Sequence, residues 1–163
     1  MLAQRLFGLG LADIRLVIVD DRSPDGTASV ARELSGQYAN RITVIERESK
    51  QGLGTAYIAG FKMALELGAD YIIQMDADLS HSPEDIPDML GLLDTSDVVI
   101  GSRYIRGGGF DSDWSLKRRF LSSFANRMIR AITGLKVKDV TSGFKAYRGS
   151  VLQELDFIAF RCR

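Results

Sequence analysis

Short apolar runs rich in β-branched residues recur along the chain and alternate with stretches of helical pattern. Such runs are typical of buried strands, which we expect at Ile14–Val19, Ile42–Ile45, Tyr71–Met75 and Val98–Ile100. The intervening patterns predict helices at Thr27–Tyr38, Thr55–Leu67, Pro83–Leu93 and Leu116–Ile132. This alternation predicts an α/β fold in which helices flank a mostly parallel sheet.

The predicted helix ends carry residues suited to them. Gly68 and Gly134 follow the second and fourth helices, where glycine tolerates the left-handed backbone of a C-terminal cap. Ser82 precedes Pro83, and serine followed by proline is a favoured start of a helix. The pattern contains no repeat or linker, so we interpret residues 1–163 as a single domain.

Composition narrows the class of protein. The chain has one cysteine among 163 residues, which excludes a disulfide framework and suits a reducing compartment. His81 is the only histidine, which excludes a histidine-rich metal site. No apolar run approaches the roughly 20 residues that span a bilayer. Any membrane contact is therefore expected to be peripheral or made by residues outside this chain.

The zero net charge hides a strong asymmetry. Residues 1–100 hold eight Lys/Arg and 16 Asp/Glu, a balance of −8, whereas residues 101–163 hold 13 and five, a balance of +8. A metal-binding acidic part and an anion-binding basic part would explain this segregation. Two differently charged solvated faces would explain it equally well.

Acidic residues follow two of the predicted strands, where ligands bind in open α/β sheets. Asp76-Ala77-Asp78 leaves the third strand with carboxylates two residues apart, a spacing that suits Mg²⁺ or Mn²⁺ completed by water and phosphate oxygens. The same string is also common in solvated turns. Asp20 and Asp21 follow the first strand, where carboxylates can accept hydrogen bonds from a base or ribose. Asp25 belongs to a turn-forming sequence and stays undecided between ligand and turn.

The remaining candidate ligand-binding residues lie in a glycine loop and in the basic half of the chain. Lys50-Gln51-Gly52-Leu53-Gly54-Thr55 opens a helix and favours either backbone contact with a phosphate or a turn that needs positive φ. It matches neither the P-loop nor the dinucleotide fingerprint. Arg103 follows the fourth strand, and Lys117-Arg118-Arg119 lies near the aromatic Trp114. These cations suit phosphate binding, although such a run is also typical of a solvated helix face.

Six blocks in this order resemble the family-2 glycosyltransferases, and among them the dolichol-phosphate or polyprenol-phosphate mannosyltransferases. The blocks are VDDRSPDGT (19–27), KQGLGTAYIAGF (50–61), MDADLSHSPEDIP (75–87), GSRYIRGGG (101–109), WSLKRRFLSSFAN (114–126) and DVTSGFKAYR (139–148). The resemblance covers most of residues 14–155. It implies the GT-A fold and transfer of a hexose, mannose from GDP-mannose, to a polyprenyl or dolichyl phosphate with inversion.

The resemblance also implies roles for individual residues. The nucleotide sugar would contact Asp20, Asp21, Lys50, Gly54, Asp76, Ala77 and Asp78. The metal, Mg²⁺ or Mn²⁺, would bind Asp76, Asp78 and Ser80, and the acceptor phosphate would bind Arg103, Arg118 and Ser122. Asp78, Arg103 and Arg118 would be catalytic. The implied location is cytoplasmic, at the cytosolic face of a membrane, with room for a membrane-anchoring partner subunit and no nucleic-acid partner.

One departure from the family concerns the start of the chain. Relatives begin with a strand ending in a V-P-x-Y-N-E-like segment, which nothing before Ile14 matches, and they continue beyond Phe160. We interpret MLAQRLFGLG as the remnant of the helix after that strand and expect a chain without the first strand to be weakly active and marginally stable. The alternatives are a transferase for UDP-glucose or another donor, an inactive nucleotide-sugar-binding module, and a metal-dependent phosphohydrolase using Asp76 and Asp78.

Overall fold

The computed structural model describes residues 2–38, 41–105, 116–155 and 157, without the side chains of residues 116–119. Five strands are described: β1 (Leu16–Asp20), β2 (Ile42–Glu46), β3 (Tyr71–Gln74), β4 (Val98–Ile100) and β5 (Lys145–Arg148). The α-helices are α1 (Leu2–Phe7), α2 (Thr27–Gln37), α3 (Leu53–Glu66), α4 (Ile86–Leu92), α5 (Leu116–Thr133) and α6 (Gly149–Gln153). The four predicted strands and four predicted helical regions are confirmed, whereas β5 and α6 were not predicted.

The strands form two sheets. β1 and β2 pair in parallel, in a register that sets Leu16 opposite Ile42 and Asp20 opposite Glu46. The second sheet has the order β3-β5-β4. The parallel pairing of β1 with β2 confirms the prediction for these strands, and the unpredicted β5 lies between the two predicted strands of the second sheet.

The glycine ends predicted for two helices are observed, whereas the predicted start of the Pro83–Leu93 helix differs. Gly68 and Gly134 have φ values of 76° and 70°, and their N–H groups bond to the carbonyls of Leu65 and Arg130 at 2.9 Å. The predicted Pro83–Leu93 helix instead begins with a 3₁₀ turn, Pro83–Asp85, before α4. Ser82 does not cap it with its side chain, because its hydroxyl bonds to a Glu84 carboxylate oxygen at 2.6 Å.

The chain divides into two compact units, and their boundaries fall within β3 and β5. The described residues up to Ile72 and from Tyr147 onward form the first unit. Those from Ile73 to Ala146 form the second.

The core of the first unit lies between its terminal helix and the parallel strand pair. Ala3, Leu34 and Ile42 are buried together, and the partly buried Phe7 and Tyr38 pack against them. The centroids of the Phe7 and Tyr38 rings are 4.6 Å apart. The segment interpreted as a helix remnant is therefore helical from residue 2 to residue 7 and contributes to this core.

In the second unit, the amphipathic helix α4 packs beside β4 and buries Ile86 and Met89. Leu93, directly after α4, is fully buried, and Phe144 before β5 is 4% exposed. Burial of these apolar side chains supports the loops that follow β3 and β4.

Candidate functional site

In the first unit, the ends of β1 and β2 are joined by an ion pair. Arg47, directly after β2, contacts both carboxylate oxygens of Asp21, and its Nη2 lies 2.6 Å from Oδ2. The two side chains are only 10% and 18% exposed. This bidentate geometry fixes the Asp21 carboxylate more firmly than a single contact would.

Arg47 also reaches the predicted glycine loop. Its Nη1 donates to the Thr55 hydroxyl at 2.6 Å, and its Nη2 lies 3.4 Å from the Gly52 carbonyl oxygen. Gly52 has φ of 93°, so the loop uses glycine for a backbone conformation that other residues avoid. Lys50 lies in this exposed loop, and Gly54 lies in the exposed first turn of α3. Arg47 ties this segment to Asp21.

Asp20 has a different environment from Asp21. It is 3% exposed, and its Oδ2 accepts the Ser23 backbone N–H at 3.1 Å. Asp20, Arg22, Arg32 and Arg47 help to line a pocket of about 430 Å³ next to the start of α2. The lining also holds three carboxylates, those of Asp20, Glu46 and Glu48, and Glu46 forms a 2.8 Å ion pair with Arg32 there. The pocket therefore offers both hydrogen-bond acceptors and cationic donors beside the N-terminus of α2.

The structure assigns Asp25 to the turn. Its Oδ1 accepts hydrogen bonds from the Thr27 hydroxyl at 2.6 Å and from the Thr27 N–H at 3.0 Å, where α2 begins. These bonds hold the pKa of the Asp25 carboxyl below its ordinary value. Of the two alternatives for this residue, the contacts favour the structural one.

In the second unit, Asp76 lies two residues beyond the end of β3. Its backbone N–H donates to His81 Nδ1 at 3.1 Å. Among the described residues, its half-buried carboxylate has no hydrogen-bond partner. Its Oδ2 approaches Gly143 so closely that a Cβ at that glycine would lie 2.8 Å away. A half-buried carboxylate without a protein donor fits a cation ligand.

Asp78 and Ser80 lie in the exposed turn that follows. Asp78 Oδ1 accepts the Ser80 backbone N–H at 3.0 Å. Hydrogen bonds from the Ser80 hydroxyl and then its N–H lower the pKa of the Asp78 carboxyl, which favours the ionised form that binds metals. The described residues contain no group of three or more His, Cys, Asp or Glu side chains placed to hold a metal. A Mg²⁺-type site with two carboxylates, completed by phosphate and water, fits this donor set.

Arg103 is paired with a carboxylate that the sequence analysis did not single out. Its Nε and Nη2 bond to the two oxygens of Asp139 at 3.0 and 3.2 Å, and Nη2 also reaches the Thr141 hydroxyl at 3.2 Å. Asp139 is fully buried. Burial is the largest influence on the pKa of Asp139 and raises it. Hydrogen bonds and charge, chiefly from Arg103, oppose that effect and leave the pKa of Asp139 below its ordinary value.

The predicted acceptor residues on α5 are only partly described. The Ser122 hydroxyl lies 3.2 Å from the Tyr104 hydroxyl, one residue after Arg103. The Arg118 side chain lies outside the described part of the chain. Asn126 fixes α5 to the segment before Thr141, because its Nδ2 donates to the Lys138 carbonyl at 2.6 Å and its Oδ1 accepts the Val140 N–H at 3.0 Å.

The predicted residues therefore fall into two groups, one in each unit. The first unit holds Asp20, Asp21, Lys50 and Gly54; the second holds Asp76, Ala77, Asp78, Ser80, Arg103, Arg118 and Ser122. Sequence reasoning missed Arg47, although it directly follows a strand parallel to β1. Because the carboxyl ends of parallel strands share one edge, that position was a usable signal for Arg47.

Comparison with known proteins finds one matching family and similar proteins of named activity. The sequence profile described as Glycosyl transferase family 2 matches residues 2–156. A polyprenol monophosphomannose synthase of Mycolicibacterium smegmatis is 42% identical over 147 residues, covering 90% of this chain and 55% of that protein. An undecaprenyl-phosphate mannosyltransferase of Micrococcus luteus is 40% identical over 148 residues, covering 91% and 60%. The chain thus spans somewhat more than half the length of these relatives.

Proposed function

This chain belongs to glycosyl transferase family 2, and from that premise we propose that it transfers a hexose from a nucleotide sugar to a polyprenyl phosphate. The family has the GT-A fold, so the predicted fold class is confirmed. The names of both relatives specify mannose and a polyprenyl phosphate, which supports mannose as the sugar. GDP-mannose as its donor stays the prediction of the sequence resemblance. The single observation that carries the proposal is this similarity, which runs through all six motif blocks.

The first unit supplies the nucleotide contacts in this proposal. Asp20 lines a pocket together with three arginines, and Asp21 is held by Arg47, which also contacts Gly52 and Thr55 beside Lys50 and Gly54. A carboxylate accepts hydrogen bonds from a base or ribose, and an arginine donates hydrogen bonds to the oxygens of a diphosphate. These features support a nucleoside diphosphate as the ligand.

Asp76 and Asp78 are the proposed ligands of Mg²⁺ or Mn²⁺, with Ser80 completing the protein donors. The support is the chemistry of the donor set: a half-buried carboxylate without a described hydrogen-bond donor, and an exposed one whose pKa is lowered. When bound, the cation would neutralise the charge that develops on the departing nucleoside diphosphate. Ala77, an exposed turn residue between them, is a proposed contact of the nucleotide sugar.

The acceptor phosphate is the nucleophile. One of its oxygens attacks the anomeric carbon with its own electron pair, and the electrons of the breaking carbon–oxygen bond leave with the nucleoside diphosphate. Because the phosphate is already ionised near neutral pH, no strong base is required, and direct displacement inverts the anomeric centre. Arg103, Arg118 and Ser122 are proposed to hold that phosphate for attack.

Helix α5 supports a peripheral position on the membrane that carries the lipid acceptor. No described helix is both long and apolar enough to cross a membrane. On α5, large apolar side chains are exposed: Phe120 (74%), Leu121 (67%), Phe124 (55%), Met128 and Ile132 (76%). Exposed Arg127 and Arg130 on the same helix complement anionic lipid headgroups. The cytosolic face of that membrane and an anchoring partner subunit stay predictions from the sequence resemblance.

Calorimetric titration of GDP-mannose in the presence of Mn²⁺, followed by product analysis with polyprenyl phosphate, tests the proposal. We expect metal-dependent binding that Asp76→Ala/Asp78→Ala abolishes, and mannose on the lipid phosphate as the product. Binding of UDP-glucose in preference to GDP-mannose would change the donor. Free mannose or inorganic phosphate as the only product would indicate a hydrolase and contradict the proposal.

A further inference from the structure

The only histidine of the chain contacts the backbone of Asp76. The His81 Nδ1 accepts the Asp76 N–H at 3.1 Å. Because Nδ1 accepts this bond, the ring hydrogen is on Nε2. Asp76 lies beyond the end of β3, so its N–H is held by this side chain and not by the strand pairing that ends at Gln74.

The His81 ring is itself held in place. It stacks on Phe144 with ring centroids 5.1 Å apart and an interplanar angle of 13°. The Phe144 carbonyl accepts the Gly101 N–H at 2.9 Å, and a Cβ at Gly101 would lie 2.7 Å from the Phe144 ring. Phe144 is therefore packed against glycine backbone on one side and carries the imidazole on its ring face.

Gly143 packs closely against both Asp76 and His81. A Cβ at this position would lie 2.8 Å from Asp76 Oδ2 and 3.2 Å from His81 Cε1. The Gly143 carbonyl accepts a hydrogen bond from Gln74 Nε2 at 3.0 Å, which ties this peptide to β3. The Asp76 carboxylate and the His81 ring thus lie against one backbone segment.

We propose that His81 is a positioning residue, which fixes the peptide of Asp76 through Nδ1 and so aims the Asp76 carboxylate at the metal. This inference rests on the proposed function, because it concerns the proposed metal ligand. Groups that orient metal ligands typically change metal affinity about 10- to 100-fold when they are removed. His81 is expected to act in this way without touching metal or substrate.

Three substitutions separate the hydrogen bond from the ring stack. His81→Asn keeps an acceptor oxygen at the same number of bonds from Cβ as Nδ1 but loses the ring. His81→Phe keeps a ring to stack on Phe144 but loses the acceptor. His81→Gln has an acceptor that lies one bond too far along the side chain.

The readout is the affinity for Mn²⁺ in the presence of GDP, measured from the electron paramagnetic resonance of free Mn²⁺, together with the melting temperature. We expect the Phe and Gln variants to bind about tenfold more weakly and the Asn variant to stay within about threefold of wild type. The melting temperature should instead be highest in the Phe variant, because the Asn and Gln variants both lose the ring stack. Affinities that follow the melting temperatures, with the Phe variant binding most tightly, would indicate a merely structural role and overturn the inference.

A measurement on the unsubstituted protein removes the dependence on variant folding. Long-range ¹H–¹⁵N spectra report the imidazole tautomer, and a single histidine leaves no ambiguity of assignment. The Nε2–H tautomer is expected; an Nδ1–H tautomer would overturn the inference whether or not GDP binds. Wild-type protein that binds no Mn²⁺ with GDP contradicts the proposed function and the inference together, whereas equal binding by wild type and His81→Phe contradicts the inference alone.

Discussion

Gly143→Ala should weaken metal binding while leaving stability nearly unchanged. The new Cβ would lie 2.8 Å from Asp76 Oδ2, so the oxygen must move by about 0.6 Å to reach an ordinary contact of 3.4 Å. The Gly143 peptide cannot yield as easily, because Gln74 Nε2 holds its carbonyl at 3.0 Å. The Asp76 side chain is the flexible partner, and it is also the proposed metal ligand.

Gly143→Ala should change the free energy of unfolding less than it changes the affinity for the metal. An off-rotamer side chain costs about 0.5–1.5 kcal/mol, and replacing glycine by alanine at an ordinary φ returns about 0.4–1 kcal/mol through the unfolded chain. The free energy of unfolding should therefore change by less than about 1 kcal/mol. A ligand displaced by half an ångström or more is expected to lower the affinity for Mn²⁺ with GDP about tenfold.

Gly91→Ala is the matched control. Gly91 lies in α4 of the same unit, and a Cβ there meets no atom within 4 Å. This variant should bind Mn²⁺ and GDP as wild type does and unfold at a slightly higher denaturant concentration. Calorimetry and urea unfolding of both variants measure the two quantities. Wild-type affinity in Gly143→Ala, or a stability loss above about 2 kcal/mol, would refute the reasoning.

Three further outcomes follow from packing and charge. Gly149→Ala places a Cβ against the backbone carbonyl oxygen of Ala69, so urea unfolding should show a loss of about 2 kcal/mol or more. Its control, Gly36→Ala, meets nothing within 4 Å and should stabilise α2. Asp139→Ala leaves Arg103 without its buried partner and should cost about 3 kcal/mol in chemical denaturation at pH 7. Because the pKa of Asp139 is lowered in the folded state, the wild-type advantage should shrink as pH falls below 3.8, and an advantage that is as large at pH 2 as at pH 7 would contradict this. Burial, followed by the charge of the neighbouring Tyr57, raises the pKa of Tyr147 to about 12, so the contribution of Tyr147 to stability is full below pH 10.0 and is lost as pH rises towards 12. Between pH 9 and pH 11.5 the melting temperature should therefore fall less in Tyr147→Phe than in wild type, and an equal fall would contradict the raised pKa.

The sequence predicted elements where the pattern was long or strongly apolar. β1 and α3 were anticipated within two residues of their observed bounds, because apolar runs and glycine caps mark them. β5 was missed because Lys145–Arg148 is only four residues long and mixes charged with apolar side chains. Its strand conformation depends on pairing with β3 and β4, which no local pattern reveals.

The sequence predicted site residues that belong to a short local motif. It did not predict ion pairs between residues that are far apart in the sequence. Asp76 and Asp78 are two residues apart and directly follow a strand, so the sequence alone singled them out. Asp21 and Arg47 are 26 residues apart, and Arg103 and Asp139 are 36 apart. The position of Arg47 after a strand indicates that it shares a sheet edge with Asp21, but not that the two side chains pair. No local pattern indicates the pairing of Arg103 with Asp139, because it arises from loops that only the folded chain brings together.

These ion pairs decide which substitutions can test the function. Replacing Asp21 by alanine leaves a largely buried Arg47 unpaired and releases the glycine loop, so lost donor binding would report the loop as much as a ligand contact. Arg103 raises the same difficulty through Asp139. Asp76 differs, because its carboxylate has no hydrogen-bond partner among the described residues. Asp76→Asn therefore removes a charge without breaking an observed side-chain contact, and a loss of Mn²⁺-dependent GDP binding in that variant bears on the metal itself.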